Sequence, residues 1–279
     1  MTEIAPEPTR VGTQELACLD GRVAPSAETV IPATDDGFIR GDGAFEVVRV
    51  YDGRPFAMTD HLDRLERSSA NLRLDALPRD LIERETRELL AARGGAGFDG
   101  LLRVVLTRGG RRLLLTEPLP ATKPSIALAF VTFAPTRILD AVKSLSYAAN
   151  MLASRIARER GADEALLVTP HGRVLEGPTS SFFWVAPDGA LCTTPLEDHV
   201  LASITRARVM RVADVQERSA GTDEVLAAPE AFLASTTREA QPVHTIEDRR
   251  LPAAPGECTA EVRAALRAHI EDELAAAGW

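Results

Sequence analysis

The sequence predicts an α+β protein with two domains, a small N-terminal one and a larger C-terminal one. In the first part of the chain, short β-branched runs alternate with helical segments, and a different mixture of helices and apolar runs follows a stretch rich in proline. The chain has 279 residues, of which 45% are hydrophobic, so it can bury a sizeable core. We place the N-terminal domain at residues 1–132, the interdomain connection at 133–137 and the C-terminal domain at 138–279.

The N-terminal domain is predicted from strands bounded by turns and from two amphipathic helices. Apolar residues recur at three- and four-residue spacing from Leu62 onwards, which is typical of a helix, and Thr59 or Asp60 is expected to cap it. A basic, glycine-containing loop at 108–112 and a proline-rich segment separate the last two strands. We expect strands at residues 15–19, 44–50, 101–107 and 126–133, and helices at 61–72 and 79–92.

The C-terminal domain is predicted to contain longer helices around two short apolar strands. Gly161 ends the first of these helices, and glycine-containing turns at 171–172 and 188–189 flank the strands. We expect helices at residues 146–160, 203–213, 222–228 and 259–277, and apolar runs at 165–168 and 181–185.

Charge and cysteine content exclude several functions. A net charge of -9 argues against a nucleic-acid or anionic-membrane surface but leaves room for a local basic pocket that binds a small anion. Cys18, Cys192 and Cys258 are far apart and form no metal or redox motif, and the polar N-terminus lacks an apolar signal core. We therefore expect a cytoplasmic protein with small-molecule substrates, without a metal site and without nucleic-acid or membrane partners.

Lysine is scarce in this chain: Lys123 and Lys143 stand against thirty arginines. A desolvated lysine can lose its proton and condense with a carbonyl group, whereas a guanidinium stays protonated and is a poor nucleophile. Lys123 lies between prolines and is interpreted as an exposed loop residue. Lys143 precedes a helical stretch, at an element junction where catalytic groups often project. By itself this leaves two interpretations of Lys143, a catalytic amine or a surface residue.

Conventional nucleotide, hydrolase and zinc-protease motifs are absent, but four separated segments together form a specific pattern. These segments are Gly37–Glu46, His61–Leu65, Lys143–Asn150 and Leu175–Ser181. With them the sequence resembles the class IV aminotransferases, pyridoxal-phosphate enzymes of fold type IV, over nearly its whole length. The nearest branches are the D-amino-acid aminotransferases and the aminodeoxychorismate lyases. The resemblance implies the two-domain fold of this family, with the cofactor in the C-terminal domain.

The resemblance also implies how pyridoxal 5'-phosphate is bound. Lys143 is expected to hold it as a Schiff base and then to move the proton between the substrate and cofactor carbons. Glu176 is expected to pair with the ring nitrogen, and Tyr147 to lie near the ring oxygen. The phosphate is expected to bind the residues Arg64, Ile204, Thr205, Thr236 and Thr237, with the amides of Ile204 and Thr205 at a helix N-terminus.

The residues expected to bind the substrate differ from the family pattern at one position. Phe45 stands where the D-amino-acid branch usually places a tyrosine that binds the carboxylate. Arg40 and Arg103 are the expected carboxylate partners, since a guanidinium can bind a carboxylate through two hydrogen bonds. Arg111 and its neighbour Arg112, in a loop that resembles one used by D-specific members, are alternatives.

Three activities agree with this pattern, and all use the same lysine. We expect a transaminase that moves an amino group between an amino acid, preferably a D-amino acid, and a 2-oxo acid by a ping-pong mechanism. The main alternative is an aminodeoxychorismate lyase that releases pyruvate, although Glu46 replaces an active-site threonine of one lyase branch. A branched-chain L-amino-acid aminotransferase is a more distant alternative, and a protein that stores the cofactor without turnover is the least favoured. The family resemblance further implies a homodimer.

Overall fold

Two β-sheets organise residues 15–276, the part of the chain that this computed structural model describes. The first sheet is entirely antiparallel and has the order β2-β1-β6-β5-β3-β4. Its strands are β1 (Leu16–Leu19), β2 (Arg22–Pro25), β3 (Gly43–Tyr51), β4 (Arg54–Pro55), β5 (Gly100–Thr107) and β6 (Arg112–Glu117). β6 was not predicted, because its short apolar run lies between a basic loop and a proline-rich segment.

Three helices accompany the first sheet: α1 (Asp36–Ile39), α2 (Met58–Leu72) and α3 (Arg79–Arg93). The two long helices confirm the predicted helical spacing, and Leu62, Leu65 and Leu89 are fully buried against the sheet core. α2 nevertheless begins earlier than predicted. Its first residue follows Ala57, whose backbone is left-handed with φ of 53°, and no side chain caps this end. The expected cap at Thr59 or Asp60 is therefore wrong.

The second sheet has eight strands and combines parallel and antiparallel pairs. Seven follow the order β11-β10-β9-β12-β13-β7-β8, and the eighth, β14, pairs with β13. The strands are β7 (Ile126–Thr132), β8 (Glu164–Val168), β9 (Ser181–Val185), β10 (Leu191–Thr193), β11 (Gln216–Glu217), β12 (Ala231–Ser235), β13 (Glu239–Ile246) and β14 (Arg249–Arg250).

The helices around the second sheet lie close to their predicted positions. They are α4 (Ala148–Glu159), α5 (Ile204–Val212), α6 (Thr222–Ala227) and α7 (Glu257–Ala276). Two aromatic pairs fill the core beneath them: Phe182 stacks on Trp184, and Phe183 stacks on Phe232. None of the helices in residues 15–276 is both long and apolar enough to span a membrane.

The chain passes from the first sheet to the second at an earlier point than the predicted interdomain connection. β7, expected in the N-terminal domain 1–132, pairs with β13 and β8 and so belongs to the second sheet. The chain therefore leaves the first sheet after Glu117, in the proline-rich segment, and not at 133–137. An apolar strand does not specify which sheet it joins, because its partners here lie far away in the sequence. Within this passage, the exposed side chain of Lys123 pairs with Asp163.

A buried ion pair fastens α2 to β3. Glu46 of β3 accepts two hydrogen bonds from Arg64, from Nε to Oε1 and from Nη2 to Oε2, each 2.7 Å long. His61 Nδ1 lies 2.7 Å from Glu46 Oε2. Burial opposes ionisation of the carboxyl, but the charge and hydrogen bonds of Arg64, together with His61, outweigh it and lower the pKa of Glu46 from 4.5 to about 2.

We predict that Glu46→Gln lowers the free energy of unfolding by about 3 kcal/mol at pH 7, because Arg64 then keeps a buried charge without a counterion. The pKa of Glu46 is depressed on folding, so its contribution is complete above pH 4.5 and is lost as the pH falls towards 2. The difference between wild type and variant should therefore shrink over this range. Urea titrations at several pH values measure it.

The exposed pair of Arg40 and Asp36 supplies the control for this experiment. Asp36→Asn should change the free energy of unfolding by less than about 1 kcal/mol, since solvent screens an exposed pair. A Glu46→Gln deficit that is equally small at pH 7 contradicts the role assigned to the buried pair.

Candidate active site

A cavity of about 510 Å³ is lined by side chains from both sheets. Most of the residues predicted for the site line it, namely Phe45, Arg64, Arg103, Lys143, Tyr147, Glu176, Thr236 and Thr237. The first sheet contributes residues of β3, β5 and β6, and the second contributes residues of β8, β9 and β12. Side chains that are distant in the sequence thus converge on one space.

Lys143 is held by its own backbone against the first sheet. Its amide donates to Ser68 Oγ (3.1 Å), and its carbonyl accepts from the amide of Phe45 (3.0 Å). The Nζ atom lies 4.3 Å from the centre of the Phe45 ring and 5.3 Å from that of Tyr147. Desolvation by this surrounding protein, reinforced by the charge of Arg64, lowers the pKa of Lys143 from 10.5 to about 8. The amine is therefore much closer to losing its proton at neutral pH than an exposed lysine.

Glu176 faces the same cavity from the loop after β8. Its Oε1 accepts a hydrogen bond from the amide of Leu201 (3.0 Å). Desolvation raises the pKa of Glu176 to about 7, against the opposing effects of this hydrogen bond and of the Lys143 charge. A carboxyl poised near neutrality can pair with a protonated ring nitrogen of a ligand and stabilise its charge.

Tyr147 occupies the N-cap position of α4 and lines the cavity beside Lys143. Its hydroxyl donates to the carbonyl of Pro178 (3.0 Å), and its ring meets that of Phe45 edge to face at 5.2 Å. Burial, together with the charge of Glu176, raises the pKa of Tyr147, so the hydroxyl keeps its proton. The side chain is thereby fixed as a neutral wall of the site.

Residues whose chemistry suits an anion lie on another side of the cavity. Arg64 lines it and is additionally anchored by a hydrogen bond from Nη1 to the carbonyl of Ala202 (3.0 Å). Ser203 caps α5 by accepting from the amide of Arg206, and Thr236 and Thr237 follow β12. The first amides of a helix have no intrahelical acceptor and attract anions. Cation, helix end and hydroxyls together suit a phosphate group.

Ile204 and Thr205 do not line this cavity. They form the first turn of α5 and border a second, much smaller pocket together with His61 and Thr236. The sequence prediction for these two residues concerned their main-chain amides at a helix N-terminus. In the structure α5 does begin at Ile204. Several residues of the loop before α5 do line the cavity, among them the cap Ser203, which the sequence interpretation did not include.

The predicted carboxylate-binding arginines separate into two groups. Arg103 lines the cavity, where its guanidinium binds Glu117 through Nε and, at 3.0 Å, through Nη2. Arg40 is exposed and pairs with Asp36, and Arg111 pairs with Asp20 at 2.9 Å. Neither lines the cavity of this chain. A local motif does not show whether the side chain of a loop arginine lines a cavity. The sequence therefore could not distinguish Arg40 and Arg111 from Arg103.

The structure adds functional candidates that sequence interpretation missed. Glu46, considered only for its position in the family pattern, is the partner that holds Arg64. An acidic residue within a β-branched run was the available signal. Ser180 and Ser181 line the cavity, and their buried hydroxyls find no hydrogen-bond partner within residues 15–276. Buried polar groups are normally paired, so these hydroxyls are available to a ligand.

Comparison with known proteins agrees with this arrangement. The family model for class IV aminotransferases matches residues 43–246. The chain is 31% identical to a D-alanine aminotransferase from Bacillus licheniformis, covering 92% of this chain and 97% of that protein. It is 30% identical to a bifunctional aminodeoxychorismate lyase and D-amino acid transaminase from Mycobacterium tuberculosis, over 85% and 93% of the two chains.

A solved structure extends the similarity to the fold. A fold IV transaminase from Curtobacterium pusillum superposes with a TM-score of 0.83 at 28% identity, covering 93% of this chain and 99% of that one. The predicted α+β fold and family resemblance are thus confirmed. The chain belongs to the class IV aminotransferases and is a pyridoxal-phosphate-dependent aminotransferase of fold type IV.

Proposed function

We propose that this enzyme transfers the amino group of a D-amino acid to a 2-oxo acid, with Lys143 as the residue that moves the proton. The observation that carries the proposal is the convergence of an amine with a pKa of about 8, the carboxyl of Glu176 and the guanidinium of Arg64 on one cavity. Similarity to a D-alanine aminotransferase supports the D-amino acid preference.

The residues present fit pyridoxal phosphate. When bound, the cofactor supplies the carbonyl that accepts the amino group and the conjugated ring that withdraws electrons from the substrate carbon. Arg64, Ser203, Thr236 and Thr237 would hold its phosphate, together with main-chain amides of the first turn of α5, which borders the small pocket that shares Thr236 with the cavity. Glu176 would hold its ring nitrogen, and Tyr147 would flank the ring. Ser180 and Ser181 offer two further donors, since their buried hydroxyls are not used elsewhere in the described chain.

Lys143 is suited both to bond formation with a carbonyl and to proton transfer. Its backbone contacts with Ser68 and Phe45 leave the side chain as the part free to move. A base works best when its pKa lies near the working pH, and burial beside Arg64 brings Lys143 into that range. When Lys143 is not bonded to the carbonyl carbon, its free amine can accept a proton from the substrate carbon and donate it to the cofactor carbon.

Recognition of the substrate carboxylate is assigned to Arg103. It is the predicted carboxylate-binding arginine that lines the cavity, and it shares the Phe45 ring with Lys143: the guanidinium carbon lies 5.4 Å and the lysine amine 4.3 Å from the ring centre. Its contact with Glu117 uses Nε–H and one N–H of Nη2, so both N–H groups of Nη1 and the second of Nη2 are left for a substrate carboxylate. Glu117 thus holds the guanidinium in place without using the donors that a substrate carboxylate needs.

The aminodeoxychorismate lyase remains the second candidate function. It is supported by the bifunctional relative, whose name includes both activities. The same amine and the same anion-binding residues serve either reaction, so the cavity walls offer no argument that separates them. The distinction therefore depends on an assay.

We also propose that the enzyme is a homodimer. Phe38 and Ile39 are adjacent apolar side chains that are 76% and 53% exposed, and Ile138 is 89% exposed. The exposed apolar pair of Phe38 and Ile39 supports a contact with another protein, here a second copy of the chain.

The first experiment separates transaminase from lyase. With D-alanine and 2-oxoglutarate, we expect pyruvate and glutamate to form in equal amounts, and no product without the 2-oxo acid beyond one turnover. Chromatography of both products over time measures this. Pyruvate released from aminodeoxychorismate without an amino acceptor, at a rate above the transamination rate, would favour the lyase instead.

Lys143→Arg should abolish transamination, with a decrease of at least about a thousandfold, because a guanidinium keeps the charge but cannot condense with a carbonyl. The visible absorbance of the lysine-linked cofactor should also be lost. Lys123→Arg is the matched control: its side chain pairs with Asp163 outside the cavity and should retain full activity and absorbance. Unchanged absorbance in Lys143→Arg contradicts the assignment.

Arg103→Leu should raise the KM for 2-oxo acids about tenfold or more, because a charged hydrogen-bond partner of the carboxylate is removed. Arg111→Leu serves as the control, since Arg111 pairs with Asp20 and does not line the cavity of this chain. Steady-state kinetics with pyruvate measures both. If Arg111→Leu has the larger effect, the carboxylate is bound from the Arg111 loop.

A further inference from the structure

Residues 133–142, here termed the crossing segment, form one wall of the cavity. The segment leads from β7 to Lys143, and most of its residues line the cavity, among them Thr136, Leu139 and Val142. It begins at Phe133, whose amide donates to the carbonyl of Val168 (2.7 Å), and it is followed by Lys143, whose amide donates to Ser68. Its position therefore affects the space available to a substrate.

Between these two ends, a single side chain ties the crossing segment to the rest of the described chain by a polar contact. Nδ1 of His199 lies 2.8 Å from Oδ2 of Asp140. His199 belongs to the loop before α5, and both residues line the cavity. The other polar contacts of the segment are internal, as between Arg137 and Asp140 (3.5 Å) or between Val142 and Leu139.

The backbone on both sides of this contact is in a disfavoured conformation. His199 has φ of 63°, and Ala141, next to Asp140, has φ of 60°. Among the non-glycine residues with positive φ in residues 15–276, these two are the ones that line the cavity. A side chain with a Cβ is disfavoured in this region, and such residues persist where the surrounding structure holds them, often at functional sites.

We propose that the contact between His199 and Asp140 determines substrate size by holding the crossing segment against the loop before α5. The proposal rests on the proposed transaminase function, because the cavity must be the substrate site. Loss of the contact leaves about ten residues with polar contacts to the rest of the described chain only at their ends, so the wall can move outward and admit a larger side chain. Lys143 keeps its own anchors at Ser68 and Phe45, so its position does not depend on this contact.

Three substitutions separate the side-chain contact from the backbone conformation. His199→Gly removes the imidazole while glycine adopts the left-handed backbone freely, and Asp140→Ala removes the carboxylate. His199→Asn tolerates the same backbone and retains a side-chain donor towards Asp140. A role of the backbone alone predicts that glycine and asparagine behave alike, whereas the proposal predicts that only asparagine resembles the wild type.

The kinetic test compares a small and a large acceptor, pyruvate and phenylpyruvate. The ratio of their kcat/KM values should fall about fivefold in His199→Gly and in Asp140→Ala, mainly through a lower KM for phenylpyruvate. The double variant should fall no further, and His199→Asn should stay within twofold of the wild type. Equal slowing with both acceptors indicates a merely structural role and overturns the proposal.

Hydrogen exchange in the cofactor-loaded enzyme, before any substrate is added, tests the contact independently of turnover. Amides of residues 134–142 should exchange several times faster in His199→Gly than in the wild type or in His199→Asn, while the α7 amides stay unchanged. Unchanged exchange at 134–142 overturns the proposal even if transamination occurs. Absence of transamination in the wild type, in contrast, refutes the proposed function and leaves the exchange result to decide the contact.

Discussion

The buried ion pair between Glu46 and Arg64 is the constraint on which the site depends. A guanidinium enclosed by protein is stable only with a counterion and with acceptors for its remaining donors, and Glu46 and the carbonyl of Ala202 supply both. Because these partners belong to β3 and to the loop before α5, the same arginine connects the first sheet to the part of the chain that surrounds the anion-binding region. Its charge also contributes to the low pKa of Lys143.

The route of the chain explains how one cavity collects groups from both sheets. After β6 the chain crosses to the second sheet, forms β7 and then returns, so that Lys143 pairs by its backbone with β3. Ser144 continues this contact by bridging to Ala44. The lysine is thus supported by the first sheet, whereas Glu176 and the helix end of α5 are supported by the second. Relative movement of the two sheets would separate the amine of Lys143 from the carboxyl of Glu176. The geometry of the site therefore depends on the packing between the sheets.

Much of this arrangement was predictable from sequence. The helices show apolar residues at three- and four-residue spacing, and Lys143, Arg64 and Glu176 lie in segments that resemble the family pattern. The predictions that failed depend on contacts between residues that are far apart in the sequence. β7 was expected to complete the N-terminal domain, whereas it pairs with β8 and β13, which follow it in the chain. Arg40 and Arg111 resembled Arg103 in type and context, yet pairing with Asp36 and Asp20 places them elsewhere. The role of Glu46 required knowledge of which helix packs on β3.

The pairing of Lys123 with Asp163 has a consequence for an enzyme that handles a reactive aldehyde. Aldehydes condense readily with free side-chain amines, and an ordinary protein surface offers many of them. Here the other side-chain cations of this size are guanidinium groups, and the second lysine is paired with the carboxylate of Asp163. With the role proposed for Lys143, the scarcity of lysine acts as chemoselectivity: covalent capture is directed to Lys143 because the chain has almost no competing side-chain amine.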